Sequence, residues 1–186
     1  MNNINPVWLR YGIFYGVTSI LLSIIFFYVF PIGLGKQSFV SFAAMIIFMI
    51  VAGKAERQLN GGALSYGEAL KTTFLTGFSG MVISGLFTII LMNLIDPSLV
   101  EKMTEQTIEM TRSMMESFGL PEDQVEQAMD DAEGKMAEAY TPLNQILSIF
   151  QYAILALIFA AIVSIFIKRD ADPSQINVSD IGETGV

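Results

Sequence analysis

The sequence predicts an all-α integral membrane protein with four transmembrane helices and an extramembrane helical hairpin between the third and the fourth. Three observations carry this. Of the 186 residues, 53% are hydrophobic and only 15% are charged, against roughly 25% charged in an ordinary soluble domain. The apolar residues gather into four long runs, and the acids gather between the third run and the fourth.

A bilayer core of about 30 Å takes roughly 20 apolar residues in helical form. The runs fall at about 9–30, 38–53, 72–95 and 143–167. Arg10 stands at the edge of the first, Lys36 and Lys54 bound the second, and Lys168 and Arg169 close the fourth. The second is the shortest. In lipid a helix satisfies its own backbone groups. The runs do not alternate polar with apolar residues, which disfavours a barrel. The first run has no A-x-A-like site after it and exceeds a leader's apolar core, so it is expected to be a retained span.

The segment 96–140 differs in kind. It holds 12 acids and 3 bases, a net −9, whereas the whole chain is −8. Asp96 is a natural N-cap and Pro97 a natural first-turn residue. Leu99, Val100, Met103, Thr107, Met110, Met114 and Phe118 recur at helical spacing. Gly119 suits a helix stop and Pro121 a restart. Val125, Ala128, Met129, Ala132 and Met136 form a second stripe. The first reading of the methionines is that they pack the hairpin against itself. The second is an adaptable docking groove, because methionine surfaces re-pack around varied partners. The carboxylates read as a solvated face; Asp130, Asp131 and Glu133 do not match a calcium-loop pattern.

Within the spans, small residues mark faces along which helices approach closely. Gly12, Gly16, Ser19 and Ser23 lie on one face of the first span, and Gly12 to Gly16 is a GxxxG match. Thr73, Gly77, Gly80, Ser84 and Thr88 step along the third, and Ala153, Ala156, Ala160 and Ser164 along the fourth. Packing within the bundle is the first expectation for Gly12, Gly16, Gly77, Gly80 and Ser84, and a homo-oligomer the second. No Asp, Glu, Lys or Arg lies deep in a predicted span, which argues against ion coupling. Asn93, near a span end, is the strongly polar side chain of note.

The loop before the third span has the most distinctive short motif. Gly61 and Gly62 read as a turn, and Ser65 with Glu68 as a capping box. Glu68 and Lys71 sit three apart on one face, and Tyr66 is an interfacial anchor. Tyr66, Glu68, Lys71, Asn93 and Asp96 are therefore the candidate functional positions.

The chain has no Cys and no His. That removes disulfides, Cys/His metal sites, thiol nucleophiles and histidine acid–base chemistry. No catalytic residue, cofactor or metal site is predicted, and the acidic balance excludes a nucleic-acid footprint. The expected partners are the lipid bilayer, a protein at the acidic hairpin, and a second copy of the chain.

The stretches SYGEALK at 65–71, IDP at 95–97 and GLPEDQVEQAM at 119–129 resemble the bacterial membrane proteins catalogued as domain of unknown function 4199. The resemblance runs from the first span to Arg169 and leaves out a short tail at 170–186, which reads as disordered. It implies a four-span inner-membrane protein of Gram-negative bacteria and carries no catalytic residue across. The positive-inside bias places both termini in the cytoplasm and the hairpin 96–140 in the periplasm. The leading expectation is a non-enzymatic protein that acts by interaction through its acidic hairpin. The alternative is a small oligomeric transporter or channel.

Overall fold

The computed structural model describes residues 6–30 and 34–169, with only the backbone described at 34, 130–134, 136 and 137. The predicted tail at 170–186 and the side chains of Ala132, Met136, Asp130, Asp131 and Glu133 thus lie outside the described residues.

Six helices follow one another: α1 (Val7–Ile24), α2 (Leu34–Leu59), α3 (Tyr66–Ile90), α4 (Ser98–Ser117), α5 (Glu122–Ala139) and α6 (Pro142–Ile167). Among the described residues there is no strand; the one antiparallel bridge joins Leu64 to Arg169. Five-residue π-helical turns, Ile25–Val29 and Leu91–Ile95, extend α1 and α3. Four stretches are long and apolar enough to cross a membrane: Val7–Val29, Gly35–Leu59, Tyr66–Ile95 and Pro142–Ile167. Their outward faces carry large exposed side chains such as Phe14, Phe39, Phe150 and Phe166, a surface suited to lipid rather than water.

The second helix is longer than its apolar stretch at 38–53. It runs through both Lys36 and Lys54 and spans 26 residues, so it matches its neighbours in length. Long lysine stems at helix ends reach the interface, and a charge there does not end the helix.

α3 is the central element. It packs against α1, α2 and α6, and α2 also touches α1 and α6. α1 and α3 begin at one end of the bundle, where α2 and α6 finish. Leu64 N–H donates to Arg169 O at 2.8 Å and Arg169 N–H to Leu64 O at 2.9 Å, holding the start of α3 to the end of α6. Arg57 Nη1 donates to Ile167 O at 3.3 Å at the same end.

The small-residue faces are used inside the chain. A Cβ on Gly12 would strike the Ser79 side chain, and one on Gly16 would sit 2.8 Å from Ile83 Cβ and 3.3 Å from Gly80 O. The Tyr15 ring lies over Gly80, and Met49 lies over Gly77. α1 and α3 are thereby in near-backbone contact. Near the bridged end the core is tight: Met49, Ala69, Ala156 and Ala160 have no solvent exposure, and Met45, Leu64 and Val163 join them. Thr73 and Ser164, both fully buried, meet at 3.1 Å between α3 and α6.

α4 and α5 pack on each other. Gly119 (φ +74°) turns the chain between them. Its N–H donates to Glu116 O at 2.9 Å, and Leu120 N–H to Met115 O at 3.4 Å, the paired bonds of a Schellman stop. Leu91, Met92 and Leu99 form a second buried cluster with Phe27, Phe87, Val100, Met103 and Tyr140, which seats the start of α4 on the bundle.

Candidate functional site: a hydroxyl-lined chamber

The bundle is tight at the bridged end and open at the other. There its four long helices surround a cavity of about 470 Å³. α1 supplies Tyr15, Ser19, Ser23 and Phe27 to the wall; α2 supplies Gln37 and Ser41. α3 supplies Met81, Ser84, Gly85, Thr88 and Met92; α6 supplies Gln145, Ser148, Ile149 and Tyr152. Met103, Ala139 and Tyr140, from α4 and the end of the α5 segment, lie at its upper edge. Among the described residues none that lines it is charged. Tyr152 is half exposed, so the chamber communicates with its surroundings.

The hydroxyls share one habit. Ser23 donates to Ser19 O at 2.9 Å, Ser41 to Gln37 O at 3.0 Å, Thr88 to Ser84 O at 3.0 Å and Ser148 to Asn144 O at 2.8 Å. Ser84 bonds Met81 O at 3.3 Å. Back-bonding of this kind satisfies the proton inside the hydroxyl's own helix and leaves oxygen lone pairs as acceptors. Ser19 Oγ is buried, beside the Tyr15 phenol one turn earlier.

Tyr140 fixes the upper edge. Its hydroxyl lies 3.0 Å from Thr107 Oγ1 and donates to Met103 O at 3.4 Å, both on α4. Gln145 Nε2 of α6 donates to Tyr140 O. One residue thus links α4 to α6 over the cavity.

The residues singled out in the sequence fall in three places. Ser84 lines the chamber. Tyr66, Glu68 and Lys71 lie at the opposite end. Ser65 caps α3 there: its N–H and Oγ donate to Glu68 Oε2 at 3.0 and 2.7 Å, and Glu68 N–H returns to Ser65 Oγ at 3.4 Å. Glu68 bonds Ser65 rather than Lys71, and Tyr66 is exposed. This trio is a well-made helix start. Asn93 is spent locally, its Nδ2 donating to Ile89 O at 2.8 Å.

Asp96 stands at the start of α4, where Pro97 precedes a helix that begins at Ser98. Its Oδ1 accepts from Ser98 Oγ at 2.6 Å and its Oδ2 from the Tyr28 phenol at 2.8 Å, and the Ser98 backbone N–H also bonds the carboxylate, as at a capping residue. These bonds hold its carboxyl below the usual aspartate range, the Ser98 hydroxyl most strongly. Its backbone also serves the helix, since Leu99 N–H donates to Asp96 O at 3.2 Å.

The methionine stripe divides. Val125 and Met129 of α5 are buried, while Met110 and Met114 of α4 remain 45% and 52% exposed, and Phe118 and Leu120 at the turn 77% and 42%. Packing of the pair against itself thus accounts for Val125 and Met129 but not for the outer part of α4.

The sequence reading missed the chamber as a site. Its signal is present: polar residues recur in steps of three or four at Ser19 and Ser23, Gln37 and Ser41, Ser84 and Thr88, and Gln145, Ser148 and Tyr152. They sit on the half of each span nearer α4 and α5. No curated protein and no solved structure matches the chain. A family model does, over residues 10–169, and four membrane-length apolar helices agree with it. The chain belongs to the family described as a protein of unknown function, DUF4199.

Proposed function

We propose that this is a non-enzymatic protein of the bacterial inner membrane that acts by binding a protein partner through α4 and α5. In this reading the two helices form a hairpin outside the membrane on the periplasmic side, with both termini in the cytoplasm. The observation that carries it is the outer surface of α4. Met110, Met114, Phe118 and Leu120 remain substantially exposed at and near the turn, flanked by Glu105, Glu109, Glu116 and Glu122. An apolar strip edged with carboxylates suits a partner with apolar and basic residues.

The orientation draws on charge. Arg10, Lys54, Arg57, Lys71, Lys168 and Arg169 belong to the end where Leu64 meets Arg169, and such an excess favours the cytoplasmic side. To test the interaction, a Gln124→Cys protein carries a thiol-linked cross-linker in living cells. The expected result is one discrete adduct that Phe118→Asp abolishes. Diffuse labelling, or an adduct indifferent to Phe118→Asp, overturns the reading.

The second reading is a small oligomeric transporter or channel, favoured by the polar chamber. Against it, the chamber ends on the packed layer around Tyr15, Met45 and Met49, so passage requires that layer to open. Solute flux through the purified protein in liposomes decides between the two.

A further inference from the structure

We propose that the chamber is a binding site for an uncharged polyol, independently of what α4 and α5 bind. The argument begins with the wall. Ser23, Ser41, Ser84, Thr88 and Ser148 all donate their protons to carbonyls of their own helices. Contributed by four different helices, they turn acceptor oxygens towards a shared space of about 470 Å³. A volume of roughly 300–1,000 Å³ is typical of small-molecule sites. The molecule that best satisfies converging acceptors is a donor, and a polyol offers several donors at hydroxyl spacing.

Charge narrows the class further. Among the described residues no Asp, Glu, Lys or Arg lines the chamber. A desolvated ion without a counter-charge is costly to bury, so ammonium, phosphate and carboxylate ligands fit poorly. Phe27, Met92 and Met103 add apolar surface near the upper edge, which suits the carbon face of a polyol or the first carbons of an attached chain.

The polyol has two sources: a free solute, or the glycerol or sugar headgroup of a neutral lipid. The experiment separates them. The full chain is purified in a polyoxyethylene detergent, which carries no polyol headgroup. Glycerol, a monoacylglycerol, an alkyl glucoside and, as a charged control, a phosphatidic acid are added singly, and bound species are counted by native mass spectrometry. Retention of the monoacylglycerol or glucoside but not of glycerol identifies a lipid headgroup. Retention of glycerol as well identifies the free polyol. Either outcome supports the site.

Two variants tie the binding to the chamber. Ser148→Leu fills space and removes an acceptor; Thr88→Val removes an acceptor at nearly constant volume. Both are expected to weaken retention by tenfold or more while the helical circular dichroism spectrum stays unchanged. Tyr66→Phe, at the opposite end, is expected to leave retention unaltered. Absence of retention for all three polyols overturns the proposal. So does equal retention of phosphatidic acid, or retention that a folded Thr88→Val protein preserves.

Discussion

The Tyr28 phenol donates to Asp96 Oδ2 at 2.8 Å and so ties the end of α1 to the end of α3. The two ends are built alike. Phe30 N–H closes the first π-helical turn on Ile25 O at 2.8 Å, and Asp96 N–H closes the second on Leu91 O at 2.7 Å. Phe30 (φ −132°, ψ 81°) and Asp96 (φ −139°, ψ 81°) then leave the helix in the same way. Each precedes a proline, Pro31 or Pro97, and a residue before proline is driven from the helical region towards extended backbone. The wider turn reaches one residue further for its last hydrogen bond, which satisfies the terminating N–H.

Tyr28→Phe and Asp96→Asn are both expected to lower the melting temperature slightly in detergent, with the double variant no worse than Asp96→Asn alone. The bonds hold the Asp96 carboxyl below its usual range, Ser98 contributing most and Tyr28 next. A depressed carboxyl stabilises the fold above its unfolded value of about 3.9, and that contribution fades as pH falls through the lower folded value. The difference between wild type and Asp96→Asn is therefore expected to be full at pH 6 and to shrink below about pH 3.9. Melting curves across that range check this, and a difference that grows on acidification contradicts it.

Gly16 and Gly85 make a matched pair for close approach. A Cβ on Gly16 meets Ile83 Cβ at 2.8 Å and the Gly80 carbonyl at 3.3 Å, neither of which swings aside easily. A Cβ on Gly85 meets Ile149 Cδ1 at 2.8 Å, the far end of a flexible side chain. Gly16→Ala is expected to cost about 1–3 kcal/mol, as overpacking does, and Gly85→Ala clearly less. Unfolding in mixed micelles measures both, and an equal loss would place the tight contact elsewhere.

Thr73 and Ser164 bring the two buried hydroxyls on α3 and α6 to 3.1 Å. Each also bonds its own helix, Thr73 to Ala69 O at 2.8 Å and Ser164 to Ala160 O at 2.6 Å. The pair is thus satisfied without its cross-helix bond, and the coupling is expected to be modest, about 0.6 kcal/mol as is usual between membrane helices. A cycle of Thr73→Val and Ser164→Ala measures it.

Much of the fold is legible in the sequence because span length and polarity are local properties. The apolar runs locate α1, α2, α3 and α6, and the signals at Ser65 and Gly119 mark helix ends that the structure places there. At Asp96 the helix start is legible but the partners of its carboxylate are not, because one of the two hydroxyls that bond it lies 68 positions away in sequence. The π-helical turns have no periodic signature over five residues. The chamber is illegible for another reason: two polar residues per span look like ordinary small-residue packing until the bundle shows that the helices part there. Ser84 and Gly80 lie one turn apart on α3, yet the first lines a cavity and the second is pressed under Tyr15.

Topology is the measurement on which the binding proposals converge. The chain has no Cys, so Gln124→Cys, on an exposed position of α5, offers a single thiol to a membrane-impermeant reagent. Six of the ten Lys and Arg residues lie at or near the bundle end away from α4 and α5, and the proposed topology, which follows the positive-inside bias, has that end in the cytoplasm. The thiol is expected to be labelled in cells whose outer membrane alone is permeabilised. A Lys71→Cys protein, at the other end, is expected to react only once the inner membrane is broken. The reverse pattern would turn the protein over. The exposed strip of α4 would then face cytosolic proteins, and the chamber would open towards the cytoplasmic leaflet and its lipids.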